Sequence, residues 1–176
     1  MLNLPELAEA RVRLRALAQA DVADHYVAWL TDPETTTFLE VSPAQVTRQS
    51  TSEWVAAMID SPDDAVFAIT VNGGHIGNIR LGPIDWKKRE APIGILIGSK
   101  EHWGKGFATE CIALVASWAE ADLGMTRLWA GMYSANVGST NAFIRAGFSI
   151  ESISPATRPE TVLGDSVLVS RAKMQT

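Results

Sequence analysis

Two glycines flank a lysine at Gly104-Lys105-Gly106, directly before a long stretch in which apolar residues recur every three or four positions. That spacing predicts a helix, and the apolar run ahead of the loop, residues 91–98, has the length of a strand. A helix opening there leaves several N–H groups without intrahelical acceptors, and its dipole places positive potential at the same end. With no Cβ in the way, the main chain at the glycines can come close to an anion, and a phosphate is the natural partner. The same Gly-x-Gly serves a plain strand-to-helix turn, so the loop alone leaves both readings open.

The elements that must hold this loop follow from patterning. Residues 10–17 alternate Val12, Leu14 and Ala16 with Arg11, Arg13 and Arg15, the period of a half-buried strand with the arginines on its wet face. Residues 18–30 are predicted helical, stopping at Asp32-Pro33. A second helix covers 47–59, with Trp54, Val55, Met58 and Ile59 as its buried stripe. Between them, 31–45 is a loop rich in Thr, Pro and Asp, where Thr36, Phe38 and Glu40 are placed to meet a substrate. Strands 65–71 and 75–81 form a hairpin over Asn72-Gly73-Gly74, with His75 exposed at the turn. A polar connection leads to the central strand, 93–97. After the central helix come strand 126–133, helix 136–146 with Gly147 as C-cap, and strands 148–153 and 161–170. The order is β α α β β β α β α β β.

With 176 residues, 47% of them hydrophobic, the chain suits one domain over 1–176 with its core at about 10–172. Fifteen basic residues against twenty acidic ones leave a net charge of -5, so no nucleic-acid partner is expected. The one cysteine, Cys111, cannot form an internal disulfide and fits a reducing compartment. Glu6 and Glu9 interrupt the first ten residues, and no run is long and apolar enough to span a membrane. A cytoplasmic protein away from the membrane is expected. His25 has no second ligand at suitable spacing, and no metal site is expected.

The block GILIGSKEHWGKGFATE and, one strand later, NVGSTNAFIRAGF resemble the GNAT superfamily of acetyl-coenzyme A dependent N-acetyltransferases. The family's hallmark is Arg/Gln-x-x-Gly-x-Gly/Ala at the start of the helix after the fourth strand. Gly106 and Ala108 match it, while Trp103 stands at its first position, as in the branch similar to ribosomal-protein serine and alanine acetyltransferases. Asn136, Ser139, Phe143 and Ala146-Gly147-Phe148 resemble the second motif, and the element order agrees over residues 10–172. The resemblance implies an α+β fold: a mixed, mostly antiparallel sheet of six or seven strands with four helices, and a homodimer.

It also implies where acetyl-CoA would lie. The loop of Trp103, Gly104, Lys105, Gly106, Phe107, Ala108 and Thr109 would hold the pyrophosphate, with Lys105 adding charge. The pantetheine arm would lie along Ile95, Leu96 and Ile97, and Asn136, Ser139 and Phe143 would flank it. Asn136 equally suits a plain N-cap. Attack of an amine on the thioester requires loss of a proton, since a lysine-like amine has a pKa near ~10.4. Glu90, Asp85 and Glu40 are the carboxylates on offer, and each also reads as a solvated surface charge. The position just before Ile93, often acidic in related sequences, is Pro92. An N–H near Leu96 is the expected oxyanion donor. Many relatives protonate the thiolate with a tyrosine where this chain has Phe143; Ser139 and Tyr133 are the candidates left.

The amine-bearing acceptor is less legible. HYVAWLTDPETTTFLEV with HIGNIRLGPID looks like a branch acting on nucleotide-linked amino sugars. A protein N-terminus or side chain is the alternative, and a polyamine or aminoglycoside comes third. A fourth reading is non-catalytic: an acyl-CoA-binding sensor. Gly106→Glu would put bulk and negative charge where phosphate should sit, so it is expected to abolish coenzyme A binding, read by calorimetry, while the far-ultraviolet spectrum stays that of the folded chain.

Overall fold

The computed structural model describes residues 2–40, 43–156 and 163–172. Its strands are β1 (Leu7–Glu9), β2 (Val12–Ala16), β3 (Ala65–Val71), β4 (Gly74–Leu81), β5 (Glu90–Ile97), β6 (Arg127–Tyr133), β7 (Ser149–Ser154) and β8 (Ser166–Ala172). The helices are α1 (Asp24–Thr31), α2 (Pro33–Thr36), α3 (Arg48–Asp60), α4 (Phe107–Ala121) and α5 (Val137–Arg145). They build one mixed sheet in the order β1-β2-β3-β4-β5-β6-β8-β7. Every neighbouring pair is antiparallel except β5 and β6, which the α4 crossover makes parallel.

β3 is covered on both faces, and its period of two divides the core. Ala65, Phe67 and Ile69 face α4, where Cys111, Ile112, Val115, Ala116 and Ala119 pack. Val66 and Ala68 face α1 and α3, meeting Tyr26 and Val55. The central helix is thus core on one side of the sheet, and the two N-terminal helices close the other.

The β5–β6 ladder is short. It runs only from Glu90–Arg127 to Pro92–Trp129. Past that point β5 follows β4 as far as Gly77–Ile97, whereas β6 follows β8 to Tyr133–Ser166. The two parallel strands therefore splay, and one edge of Ile93 to Ile97 loses its partner.

The eight strands are one more than the patterning gives and one or two more than the resemblance implies, because Leu7–Glu9 is too short to show a period and pairs with Val12–Leu14 as an edge hairpin. The predicted helix 18–30 is instead a 3₁₀ turn, Gln19–Asp21, followed by α1. Asp21 explains the break: its carboxylate accepts from the Ala18 N–H at 2.8 Å and binds Arg15 at 2.6 and 2.7 Å. Arg15 is accordingly paired rather than simply wet. The expected loop after α1 contains the fifth helix, α2, started by Pro33 and capped by Asp32. Trp54 departs from its predicted burial, being 40% exposed, while Thr51 and Val55 carry that face of α3. The final strand begins at Ser166; residues 161–162 of its predicted range lie outside the described residues.

Gly77 holds the splay. A Cβ there would stand 2.1 Å from the Leu96 carbonyl oxygen and 2.9 Å from the Ile97 Cα. Both are backbone atoms, so β4 and β5 would have to part. Gly77→Ala is expected to lose about 3 kcal/mol of stability in thermal or urea unfolding.

Candidate functional site

The loop between β5 and α4 begins with a 3₁₀ turn, Lys100–His102. The Trp103 amide closes that turn onto the Lys100 carbonyl at 3.0 Å, and the indole Nε1 donates to the Ile97 carbonyl at 2.6 Å. Trp103 thus ties the loop to the strand end and offers no free amide, a departure from the expected donor set. From Gly104 to Thr109 the amides have no hydrogen-bond partner among the described residues. Gly104 and Gly106 adopt the left-handed region, with φ of 70° and 86°, and Gly106 is the N-cap of α4 without a side-chain cap. A β-carbon is strained there, and no side chain blocks the amides. This donor array at the start of α4 fits a diphosphate. Lys105 is exposed beside it.

Arg11, 99 residues away in sequence, also reaches this corner. Its Nε donates to Glu110 Oε1 at 2.8 Å, and its guanidinium lies 4.8 Å from the centre of the Phe107 ring. No local spacing marks it; only the fold brings the β1–β2 turn to α4.

Across the splay, the mouth of α5 carries Asn136, whose Oδ1 accepts from the Ser139 N–H at 3.1 Å. The cap is formed, and the amide nitrogen of Asn136 remains for another partner. Ser139 and Tyr133 are half-buried at this end. Because β5 and β6 are parallel, Tyr133, Asn136 and Ile97 share the end where the strands part. Phe143 does not join them. It is 2% exposed, with its ring 5.1 Å from Phe148, and serves the core.

Glu90 also stands apart. It opens β5 at the paired end, 3.4 Å from Arg127, and six residues from Leu96 in an extended strand is about 20 Å. Asp85 sits beside it, bridged to Glu90 and 3.5 Å from Lys88. Glu40 is exposed at the edge of the described residues. Cys111 is fully buried in α4, and burial pushes its thiol up to about 12, so it is no nucleophile.

A cavity of about 380 Å³ opens on the α1–α3 side of the same strand. Tyr26, Leu30, Leu39, Val46, Trp54 and Val66 give it apolar walls, and Gly94, Ile95 and Leu96 of β5 form its floor. Its polar lining is Ser50, Thr51, Asn78 and Arg80, and no carboxylate lines it among the described residues. Arg80 Nε is held by Asp64 at 2.7 Å. Burial pushes the Tyr26 hydroxyl up to about 12, with the Asp21 charge adding to the shift, so Tyr26 stays protonated. Sequence patterning does not report this cavity, which six separate segments assemble.

His75 is half-buried rather than exposed. Its Nδ1 lies 3.1 Å from His25 Nε2, and its Nε2 lies 2.9 Å from Asn78 Oδ1 and 3.0 Å from the Gly77 carbonyl. Burial lowers its pKa from the ordinary 6.5, against the Asn78 bond and the Asp21 charge, which raise it. His75 is therefore neutral at pH 7.

Comparison with known proteins agrees with this geometry. A model described as the acetyltransferase (GNAT) domain matches residues 11–149. An uncharacterised N-acetyltransferase of Bacillus subtilis (strain 168), YoaA, is 36% identical over 78 residues, which are 44% of this chain and 44% of that one. The match thus spans less than half the length of that relative. A spermidine N-acetyltransferase from Vibrio cholerae, solved with CoA and spermine, superposes with a TM-score of 0.81 at 19% identity, covering 92% of this chain and 95% of that one. RimL, a ribosomal L7/L12 alpha-N-protein acetyltransferase solved with coenzyme A, gives 0.81 at 17% identity over 96% and 98%. At these identities the two structures speak for the fold alone.

The depressed His75 pKa has a consequence for stability. Below pH 6.5 the unfolded chain takes up this proton before the folded one does, so stability falls as pH drops through that value. The ring faces His25, Trp29 and Tyr26 and feels the Asp21 carboxylate; Tyr26 stays protonated throughout this range. For Asp21, burial raises the pKa, but the Arg15 and Ala18 bonds leave it net lowered from 3.8; its stabilisation persists above that value and is lost only in stronger acid. The unfolding midpoint is expected to be lower at about pH 5.5 than at about pH 7.5, with His75→Gln narrowing the difference.

Proposed function

Since the chain belongs to the GNAT acetyltransferase domain family, we propose that it transfers an acetyl group from acetyl-CoA to a primary amine by direct attack in a ternary complex. The observation that carries this reading is the double use of β5. Ile95 and Leu96 floor the cavity, while the splay frees the main-chain edge of Ile93 and Ile95 on the β6 side, Leu96 keeping its own main chain on β4. A thioester lying along that edge, its diphosphate on the amides of Gly104 to Thr109, would meet an amine held in the cavity.

The amine nitrogen bonds to the thioester carbon, the C–S bond breaks, and the proton lost by nitrogen ends on the departing sulfur. A main-chain N–H of β5 on the splayed side, that of Ile95 or Ile97 beside Leu96, is the oxyanion donor in this scheme. Ser139 and Tyr133, half-buried at the mouth of the splay, are the hydroxyls we assign to protonate the thiolate. Glu90 has no part in it, for the distance already given.

The acceptor follows from the lining. Apolar walls with a few polar groups between them suit a neutral carrier bearing one amine, such as a peptide or protein N-terminus. A polyamine would bring further cations to a cavity with no carboxylate to meet them. The Arg80–Asp64 pair is already neutral, which gives a nucleotide diphosphate little to bind. The expected result, with thiol release followed spectroscopically, is that a short apolar peptide has a kcat/KM at least roughly tenfold above spermidine or an amino-sugar nucleotide. Thiol release that no amine raises above the blank would instead indicate a sensor or a hydrolase.

A further inference from the structure

The side chain of Asn78 carries a signal that the acetyl-transfer reading leaves unused. Asn78 lies in the middle of β4, opposite Ala68 on one side and Leu96 on the other, and is 7% exposed. It lines the cavity, yet its Nδ2 has no hydrogen-bond partner among the described residues. A buried donor left unsatisfied is costly, and folded chains rarely keep one without a use.

The neighbouring histidines fix which end of the amide is presented. His75 Nε2 stands 3.0 Å from the Gly77 carbonyl, which can only accept, so this nitrogen carries the proton. It then also donates to the second atom in reach, the Asn78 side-chain oxygen at 2.9 Å. In the neutral ring Nδ1 must be the acceptor, and His25 Nε2 donates to it at 3.1 Å. The sequence of bonds runs from His25 through His75 to Asn78, and at its end only the amide N–H₂ of Asn78 is left for the cavity. With Arg80, two positions on along the same face of β4, it makes the polar floor a pair of donors.

Resting on the reading of this cavity as the acceptor site, we infer that Asn78 selects amines carrying a carbonyl oxygen next to the amino group, as an α-amino amide or peptide N-terminus does. The bond forms between the Asn78 N–H and that oxygen. His75 and His25 are positioning residues that hold the amide the right way round. Because Nδ2 is closed off from bulk water, the bond forms in a dry setting, where an unmet donor discriminates most strongly against a ligand lacking the oxygen.

Phenylalaninamide and phenethylamine test this, since they differ by the carboxamide alone. Calorimetry on the full chain saturated with coenzyme A is expected to show phenylalaninamide binding about tenfold tighter. Asn78→Leu should bring the ratio to about one. Asn78→Asp, nearly isosteric and so a check on folding, should favour phenethylamine. His75→Ala should lower the ratio, and His75→Gln, whose amide can still donate to the Asn78 oxygen, should restore it; a purely structural histidine would not give that rescue. Equal binding of the two amines by the natural chain, or an unchanged ratio in Asn78→Leu, would overturn the inference. Turnover is read separately: a preserved binding preference with no thiol released would sink the transferase reading and leave the role of Asn78 standing.

Discussion

The site depends on β5 leaving β6. Two parallel strands that stayed paired would satisfy each other's main chain and leave no edge for an extended ligand. Here β5 is drawn to β4, where Gly77 lets the Leu96 carbonyl come closer than any side chain would allow. Trp103 bonds the Ile97 carbonyl from the loop side, and the Trp29 ring occupies the space where a Cβ of Gly98 would be, 2.0 Å away. β6 meanwhile keeps seven residue pairs with β8. The gap is thus the result of two strands held firmly by different neighbours, and it is present before any ligand arrives.

Three sets of unmet donors surround that gap: the amides before α4, the Asn136 side chain at α5, and Asn78 under the cavity. Of these, Asn78 Nδ2 is buried without a partner among the described residues and so costs free energy in the free protein. Donors without acceptors prepare for a ligand rich in oxygen, which a thioester with a diphosphate and an acyl acceptor with its own carbonyl both supply. Acidic residues are numerous in the chain, yet Asp21, Asp64, Glu110 and Glu120 are each engaged by an arginine and do not compete for those donors.

The parts of this arrangement that follow from local rules were legible in the sequence. Glycines before a periodic stretch gave the loop and its helix, and Asn136 with Ser139 gave a cap that the fold reproduces. Parts made by distant segments were not. The cavity draws on α1, α3, β3, β4, β5 and the loops between them, and no spacing within one element reports it. Trp54 has the position of a buried residue on a helical wheel but faces that cavity. His75 looks like a turn residue until α1 brings His25 against it. Glu90 is near β5 in sequence, which says nothing about the end of the strand it occupies.

The missing carboxylate in the cavity bears on the choice of amine. At pH 7 a lysine-like amine with a pKa of about 10.4 must give up its proton at a cost of about 4.6 kcal/mol. A chain's α-amino group, with a pKa of about 7.7–8.0, does so for only about 1 kcal/mol. The first needs a base held against it, whereas the second reaches the neutral, nucleophilic form through water alone. Apolar walls lower the cost further, since burial disfavours the charged ammonium. A cavity with Tyr26 held protonated, Arg80 neutralised by Asp64 and no carboxylate among its described lining residues would suit the α-amine proposed above, which needs no base held against it.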